Sequence, residues 1–130
     1  MNIIKYEDYF HDGYVNGINH LGNNIDFFLE SSVINPNEIA DKDLLTPSNT
    51  FKGTLTIYNI KNFKINNKKY EGVLKMQYDD GDILELKIAG NRVFLLIQWK
   101  DFPPKTCLTD VSKIEIEAQM IQWIPDEFHS

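Results

Sequence analysis

The sequence contains a single cysteine, Cys107, among its 130 residues. One thiol cannot form an internal disulfide, and such scarcity is typical of a chain kept in a reducing cytoplasm. No apolar run is long enough to span a bilayer, and the N-terminal residues lack the apolar core of a signal peptide. We therefore expect a cytoplasmic protein with no membrane partner.

Basic residues are too few to balance the acidic ones: 13 Lys and Arg stand against 19 Asp and Glu, a net charge of −6. This balance disfavours nucleic acid and anionic membrane surfaces as partners, because both repel an acidic chain. A hydrophobic fraction of 42% and a charged fraction of 25% are typical of a globular protein. At this length we expect one domain whose core needs no disulfide.

The sequence also lacks the spacings of known metal sites. The candidate ligands are His11, His20, His129, Cys107 and the acidic turn Asp79-Asp80-Gly81-Asp82. Zinc sites need closely spaced Cys and His pairs, which these residues do not form. A calcium loop spreads its ligands over about twelve residues, and the acidic turn is too short to wrap an ion. We expect no metal and no cofactor.

Candidate catalytic residues are few. His11 and Asp12 are adjacent, and adjacent residues on an extended chain point to opposite faces, so we interpret Asp12 as a turn former and His11 as a packing residue. Glu115 and Glu117 share one strand face like paired carboxylates, but such residues are more often the solvated face of an edge strand. Cys107 has no local signature of an activating base. The sequence predicts no catalytic residue and no enzyme activity.

The most informative stretch is a predicted three-stranded meander from Tyr70 to Lys100. Gly90-Asn91 suits a two-residue type II′ turn, because its first position needs a positive φ. Asp79-Asp80-Gly81 suits a three-residue loop with a left-handed Gly81. The two turns bring apolar residues opposite one another, which fixes the register.

The register of the meander defines its inner face. The predicted cross-strand pairs are Ile88 with Val93, Leu86 with Leu95, Leu84 with Ile97, Met76 with Leu84, and Leu74 with Leu86. The predicted inner face is therefore Leu74, Met76, Leu84, Leu86, Ile88, Val93, Leu95, Ile97 and Trp99.

The last strand of the meander has a second apolar face at Phe94 and Leu96. Burying a Phe or Leu side chain is worth about 1.5–3 kcal/mol, so we expect this face to be covered. The cover could be the N-terminal aromatics, a second copy of the chain or a foreign protein. We favour the N-terminal segment, in which Tyr6, Tyr9 and Phe10 predict a short helical turn.

Five further strands are predicted. They are Tyr14–His20 and Asn24–Ser32, joined as a hairpin at Gly22-Asn23; Phe51–Tyr58; Ile60–Ile65, turned back by Asn66-Asn67-Lys68; and Val111–Trp123, for which a helix is the alternative. The residues predicted to point inward are Tyr14, Ile18, Ile25, Phe27, Leu29, Leu55, Ile57, Ile114, Ile116, Ala118 and Met120. Many short strands between turns predict a mainly β fold, an antiparallel sandwich or partly open barrel of about 7–9 strands with a short N-terminal helical turn.

The segment Tyr9-Phe10-His11-Asp12-Gly13 and the hairpin after it resemble the opening Phe-His-Asp-small pattern of small bacterial β-rich proteins. Some of these are assigned as immunity proteins of polymorphic toxin systems. The resemblance implies an acidic, cytoplasmic, non-enzymatic inhibitor that binds a cognate toxin, for which a basic toxin domain would be a fitting partner. It identifies no contact residues in this chain.

Two hypotheses follow for the function. The first is a non-enzymatic protein-binding module, with immunity-type toxin inhibition as its specific form and a homodimer still open. The alternative is a small-ligand or carbohydrate-binding sandwich or barrel, which would need a deep pocket with a few convergent polar groups. The residues predicted to bind are Phe94, Leu96, Trp99 and Trp123, and Phe128 is a further aromatic expected at the surface.

Overall fold

Seven strands and three short 3-10 helices make up the regular structure of the residues that the computed structural model describes, which are 3–76, 80–100 and 110–126. In chain order they are η1 (Ile3–Phe10), β1 (Tyr14–Leu21), β2 (Asn24–Glu30), η2 (Pro36–Glu38), η3 (Lys42–Leu44), β3 (Lys52–Ile65), β4 (Lys68–Lys69), β5 (Asp80–Ala89), β6 (Arg92–Lys100) and β7 (Val111–Pro125). The predicted mainly β, antiparallel fold and the short N-terminal turn are confirmed.

Six of these strands form a closed barrel. The strand order is β2-β1-β5-β6-β7-β3, with β4 beside β3, and β3 pairs with β2 to close the ring. Every pairing is antiparallel. The expectation of a sandwich or a partly open barrel is wrong in this respect, because the β2–β3 ladder joins what would otherwise be the two edges.

The inside of the barrel is filled by side chains. The largest fully buried ones are Trp99, Phe10, Phe27, Phe51, Ile25, Leu29, Ile34, Leu55, Ile57, Ile83, Leu95 and Ile97. They come from β2, β3, β5, β6 and η1 and from the chain between β2 and β3, so the interior of this small barrel is a packed core.

β3 and β7 form the longest ladder, from Gly53 opposite Pro125 to Ile65 opposite Ile114. The predicted strands 51–58 and 60–65 are therefore one strand, and Val111–Trp123 is a strand, as predicted. The alternation of inward and outward side chains changes at Asn59 of β3 and at Gln119 opposite it on β7. Asn59 has φ 52°, and its Nδ2 donates to Gln119 Oε1 at 2.6 Å. Met120 is consequently 50% exposed rather than inward as predicted.

The β5–β6 hairpin confirms two of the predicted pairs, Ile88 with Val93 and Leu86 with Leu95. The third is wrong, because a bulge leaves Leu84 unpaired and places Ile83 opposite Ile97. Ile83 is fully buried in place of Leu84.

The predicted first strand of the meander is not formed. Residues 70–76 are irregular, and residues 77–79 lie outside the described part. Asp80 and Gly81 belong to β5, opposite Lys100 and Trp99, so the three-residue loop is wrong. The neighbour of β5 is β1, with Tyr14 opposite Asp82. Leu74 does not pair with Leu86, although Leu74 is buried as predicted and its N–H donates to His20 Nδ1 at 2.8 Å.

The β1–β2 hairpin is confirmed, with Gly22 at φ 60° in its turn. On β2 the side chains of Ile25, Phe27 and Leu29 face inward as predicted. On β1 a bulge between Val15 and Gly17 changes the alternation, so Val15 is buried and Tyr14 is 41% exposed, contrary to prediction.

The N-terminal segment does not cover Phe94 and Leu96. Phe10 is fully buried with its ring edge-on to Trp123, at a centroid distance of 5.4 Å. Tyr6 packs on Phe51 at 4.9 Å. These aromatics therefore belong to the core, and the preferred cover for the outer face of β6 was wrong.

η1 and the turn that follows it also provide hydrogen-bond partners to the side of β5 that β1 leaves unpaired. The N–H of Asp12 donates to the carbonyl of Ile83 at 2.8 Å, and the N–H of Ile88 donates to Glu7 Oε2 at 3.0 Å. A buried main-chain group without a partner is costly. η1 therefore takes the position that a longer β1 would have occupied.

We predict that Phe10→Ala lowers the free energy of unfolding by about 3–5 kcal/mol, because it leaves a cavity beside Trp123. Chemical denaturation measures the loss. Tyr14→Ala is the matched control, since Tyr14 is an exposed aromatic, and it should cost under about 1 kcal/mol. Equal losses in the two variants would contradict the placement of η1 in the core.

Candidate functional site

The four residues predicted to bind divide into two pairs. Phe94 and Leu96 lie half-buried on the outer face of β6, on the opposite side of the strand from its buried residues. Trp99 is 1% exposed, which agrees with its place on the predicted inner face, and Trp123 is 8% exposed. The expectation that both are surface aromatics available for binding is therefore wrong. The Trp99 indole N–H donates to Ser112 Oγ at 2.8 Å inside the barrel. Phe128, Cys107 and His129 lie outside the described residues.

The outer face around Phe94 is formed by β5, β6, β7 and β3, and is named here the Phe94 face. Three cross-strand rows cover it: Ala89, Arg92, Glu117 and Asn62; then Lys87, Phe94, Glu115 and Lys64; then Glu85, Leu96 and Lys113. Phe94 therefore occupies the middle row, with Lys87 on one side and Glu115 on the other. The register of three ladders brings these side chains together.

Ion pairs frame the Phe94 face. Lys87 Nζ lies 3.2 Å from Glu85 Oε1, Arg92 Nε lies 3.0 Å from Glu117 Oε2, and Lys113 Nζ lies 3.7 Å from Glu115 Oε1. Lys113 Nζ also lies 5.9 Å from the centre of the Phe94 ring, within range of a cation–π contact. Exposed pairs of this kind add little stability, so their main effect is to place charge around an apolar centre.

Glu117 is the most strongly held carboxylate of this face. Asn62 Nδ2 donates to Glu117 Oε1 at 2.8 Å, and Arg92 Nε donates to Oε2. The hydrogen bond from Asn62, and then that from Arg92, lower the pKa of Glu117. The expectation that Glu115 and Glu117 lie on the solvated face of an edge strand is wrong, because at these positions β7 lies between β6 and β3.

A groove of about 630 Å³ runs over the Phe94 face. Its lining is Asn62, Lys64, Glu85, Lys87, Ala89, Arg92, Val93, Phe94, Glu115, Ile116 and Glu117. Leu96 is the next outward residue on β6 and lies beyond this lining. Among the charged side chains of the groove, Lys64 is the one without an ion pair inside the described part of the chain.

The excess negative charge lies elsewhere. Residues 1–50 contain eight acidic residues and two lysines, which gives −6, whereas residues 51–130 contain eleven acidic and eleven basic residues. The acidic part supplies η1, β1, β2, η2 and η3. In it Tyr6 Oη donates to Asp41 Oδ2 at 2.6 Å, and this hydrogen bond raises the pKa of Tyr6.

His11 and Asp12 are closer together than an extended chain would allow. Asp12 has φ 65°, and the turn brings His11 Nε2 to 3.6 Å from Asp12 Oδ2, so the expectation of opposite faces is wrong. His11 Nδ1 donates to the carbonyl of Leu84, at the bulge of β5. His11 therefore has a structural role, because it donates to the carbonyl of Leu84, the residue of β5 that has no partner residue on β6.

The other residues of the Phe-His-Asp-Gly segment are structural as well. Gly13 is buried, and a Cβ at this position would collide with the carbonyl oxygen of Glu30. Its N–H donates to the carbonyl of Phe10 at 2.9 Å, which closes the turn after η1. The whole segment thus joins η1 to β1, β2 and β5.

Within residues 3–76, 80–100 and 110–126, no group of three His, Cys, Asp or Glu residues could hold a metal ion. No helix of the described chain is long and apolar enough to cross a membrane. No family model, curated protein or solved structure matches the chain.

Sequence reasoning missed three residues of the groove: Asn62, Lys64 and Arg92. Asn62 and Lys64 are outward residues of the second half of β3, and the β3–β7 register brings them beside Glu117 and Glu115. The alternation of charges along β7 was visible in the sequence, but its partners across the sheet were not.

We predict that Asn62→Ala raises the pKa of Glu117 toward its ordinary value, because the variant loses the hydrogen bond from Asn62 that contributes most to lowering this pKa. Carboxyl carbon NMR over a pH titration measures the shift. A lowered pKa stabilises the fold above the unfolded value of about 4.3. That stability is lost as the pH falls through the folded value, so the variant should also lose less stability on acidification. An unchanged Glu117 pKa would contradict the assigned hydrogen bond.

We also predict that Gly13→Ala prevents folding or destabilises the chain severely, because the added Cβ meets main-chain atoms that cannot move away. Thermal unfolding followed by circular dichroism measures the effect. Gly22→Ala is the matched control: its φ of 60° costs an alanine about 1–2 kcal/mol, but nothing lies within 4 Å of the new Cβ. A Gly13→Ala variant as stable as Gly22→Ala would contradict the close approach of Gly13 to the main chain of Glu30.

Proposed function

We propose that this protein is a non-enzymatic protein-binding module that contacts its partner through the Phe94 face. The observation that carries the proposal is the half-buried Phe94 in a groove framed by three ion pairs, outside a barrel whose interior is filled. An apolar centre with a polar rim is the usual arrangement of protein interfaces. Aromatic residues at such centres carry much of the binding energy.

The specific form that we propose is an immunity-type inhibitor of a basic toxin domain. Besides the resemblance in residues 9–13, the charge distribution supports this form. A net charge of −6, all from residues 1–50, would accelerate the approach of a basic partner. The Phe94 face itself is close to neutral, so it would contribute apolar contact and specificity after the encounter.

A binding role rather than catalysis is consistent with the positions of the candidate catalytic groups. His11 donates to a main-chain carbonyl, and Glu115 and Glu117 lie beside Lys113 and Arg92. Groups held in this way support the fold and the rim of the Phe94 face.

A small ligand is the second candidate, because the groove volume of about 630 Å³ falls within the range of ligand sites. A carbohydrate would stack on Phe94 and hydrogen-bond to the neighbouring carboxylates. In that case binding would require no second polypeptide.

The test is affinity capture from the cytosol of the source organism with wild type, Phe94→Ser and Phe28→Ser as baits. Phe28 is an outward aromatic of β2 that is 40% exposed, so its replacement is the matched control. We expect a stoichiometric basic protein whose affinity falls at least about 30-fold with Phe94→Ser, the effect of a hot-spot residue worth about 2 kcal/mol. The Phe28→Ser variant should bind the same protein with the wild-type affinity.

Equal retention by both variants would exclude the Phe94 face as the contact surface. A captured protein with a toxic activity that this chain suppresses in a dose-dependent manner would support the immunity-type form. Binding of an oligosaccharide that is sensitive to Phe94→Ser, with no captured protein, would favour the ligand reading instead.

A further inference from the structure

The Phe94 face carries no excess of negative charge, although the chain as a whole is acidic. The lining of its groove has three basic and three acidic side chains, and the net charge of −6 comes from residues 1–50. Two copies of the chain would therefore repel one another through their acidic parts, but not through this face. The half-buried side chains of Phe94 and Leu96 form its apolar centre.

The charges that flank this apolar centre have opposite signs on the two strands beside β6. In the row of Phe94, β5 supplies Lys87 and β7 supplies Glu115. In the next row the signs are exchanged, because β5 supplies Glu85 and β7 supplies Lys113. An operation that places β5 of one copy over β7 of another therefore places each charge opposite its counter-charge.

A two-fold axis along β6 is that operation. It would place Lys87 opposite Glu115 of the second copy and Glu85 opposite Lys113 of the second copy. In a symmetric interface every such contact is made twice, so four intermolecular ion pairs would surround the two Phe94 side chains at the axis. Sheets that pack face to face keep their strand directions within about 30° of each other, which this axis satisfies.

The other two-fold axis in the plane of the face runs across the strands and is unfavourable. It would place Lys87 opposite Lys87 and Glu115 opposite Glu115 of the second copy, and like charges in direct opposition are costly. With the axis along β6, the like charges that meet are the two Arg92 side chains. Each of these is neutralised by its own Glu117, with Nε 3.0 Å from Oε2.

The four charged side chains of the two rows are accessible to a second copy. Within one chain, Lys87 pairs with Glu85 along β5 and Lys113 pairs with Glu115 along β7, and their side chains are 37–65% exposed. In the dimer each β5 pair would lie over the β7 pair of the second copy, which gives a cluster of four alternating charges. Such a network contributes more than isolated exposed ion pairs do.

We propose that the Phe94 face is the interface of a symmetric homodimer, with its two-fold axis along β6. Burial of Phe94 and Leu96 from both copies supplies the apolar contact, and the reciprocal ion pairs fix the register. A foreign partner at the same face has to displace the second copy, so the dimer is a stored form of the binding module. Only this last consequence rests on the proposed function.

The experiment measures the mass of the full chain by light scattering from about 1 μM to about 1 mM, the range of weak to moderate association. We expect wild type to be a dimer at the upper end. Lys87→Glu and Glu115→Lys should each raise the dissociation constant of the dimer at least about tenfold, because each places like charges opposite one another at two points. An equimolar mixture of the two variants should associate about as well as wild type, because the exchanged charges are again opposite across the axis.

Lys42→Glu is the matched control for the charge reversals. It changes the net charge by the same amount as Lys87→Glu, but Lys42 is an exposed residue of η3 and lies outside the lining of the groove. Its dimer should dissociate as the wild-type dimer does. Association in the mixture also demonstrates that both interface variants are folded, since an unfolded chain has no face to complement.

A wild-type chain that stays monomeric up to about 1 mM would overturn the proposal. Lys87→Glu and Glu115→Lys variants that dimerise like wild type would overturn it too, as would a mixture that does not associate. Equal weakening by Lys42→Glu and Lys87→Glu would show a general charge effect and contradict the interface. No foreign protein enters these measurements, so a failure to capture a partner contradicts the proposed function alone, and a monomeric wild type contradicts the dimer alone.

Discussion

The pairing of β3 with β7 is the interaction on which the rest of the structure depends. This ladder runs from Gly53 to Ile65 on β3 and joins the two halves of the barrel, β1-β2-β3 and β5-β6-β7. β3 carries the β1–β2 hairpin on its other side, and β7 carries the β5–β6 hairpin. The contact between β1 and β5 is short, so closure of the ring relies on β3 and β7 holding both hairpins in register.

The phase change at Asn59 lets one long ribbon serve two environments. The net change is on β7, where the buried positions are even-numbered up to Ala118 and Trp123 is buried beyond it. On β3 the irregularity between Ile60 and Asn62 restores the first alternation, so Phe63 faces the core as Leu55 and Ile57 do. Asn tolerates the left-handed conformation better than most residues. The same feature exposes Met120 and turns Trp123 inward.

Alternation and turn chemistry were sufficient to predict the local structure. The Gly22 and Gly90 hairpins, the inward side of β2, two pairs of β5 with β6 and the strand nature of β7 all follow from short-range patterns. The failures arise where a distant residue decides the outcome. The carbonyl of Leu84 accepts a hydrogen bond from His11, which is distant in sequence. The neighbours of β5 are β1 and, through Glu7, η1, rather than residues 70–76.

In the candidate site too, local patterns predicted some residues, and contacts between distant strands decided the others. Phe94 and Leu96 follow from the pattern of the sequence, because a strand with two apolar faces is unusual. The register of the meander predicts that Trp99 points inward, but the aromatic type of Trp99 and Trp123 alone led to a binding assignment that their burial contradicts. Asn62, Lys64 and Arg92 could not be placed without the ladders.

Closure of the barrel by β2 and β3 is the central claim, because it fills the interior and leaves the outside for binding. The N–H of Ser31 donates to the carbonyl of Phe51, so Phe28–Thr54 and Asp26–Thr56 are non-hydrogen-bonded pairs with Cα atoms about 4.5 Å apart. Strong nuclear Overhauser effects between the Hα atoms of these two pairs are the predicted result. Their absence, with those of the β3–β7 ladder present, would show an open sheet and contradict the account.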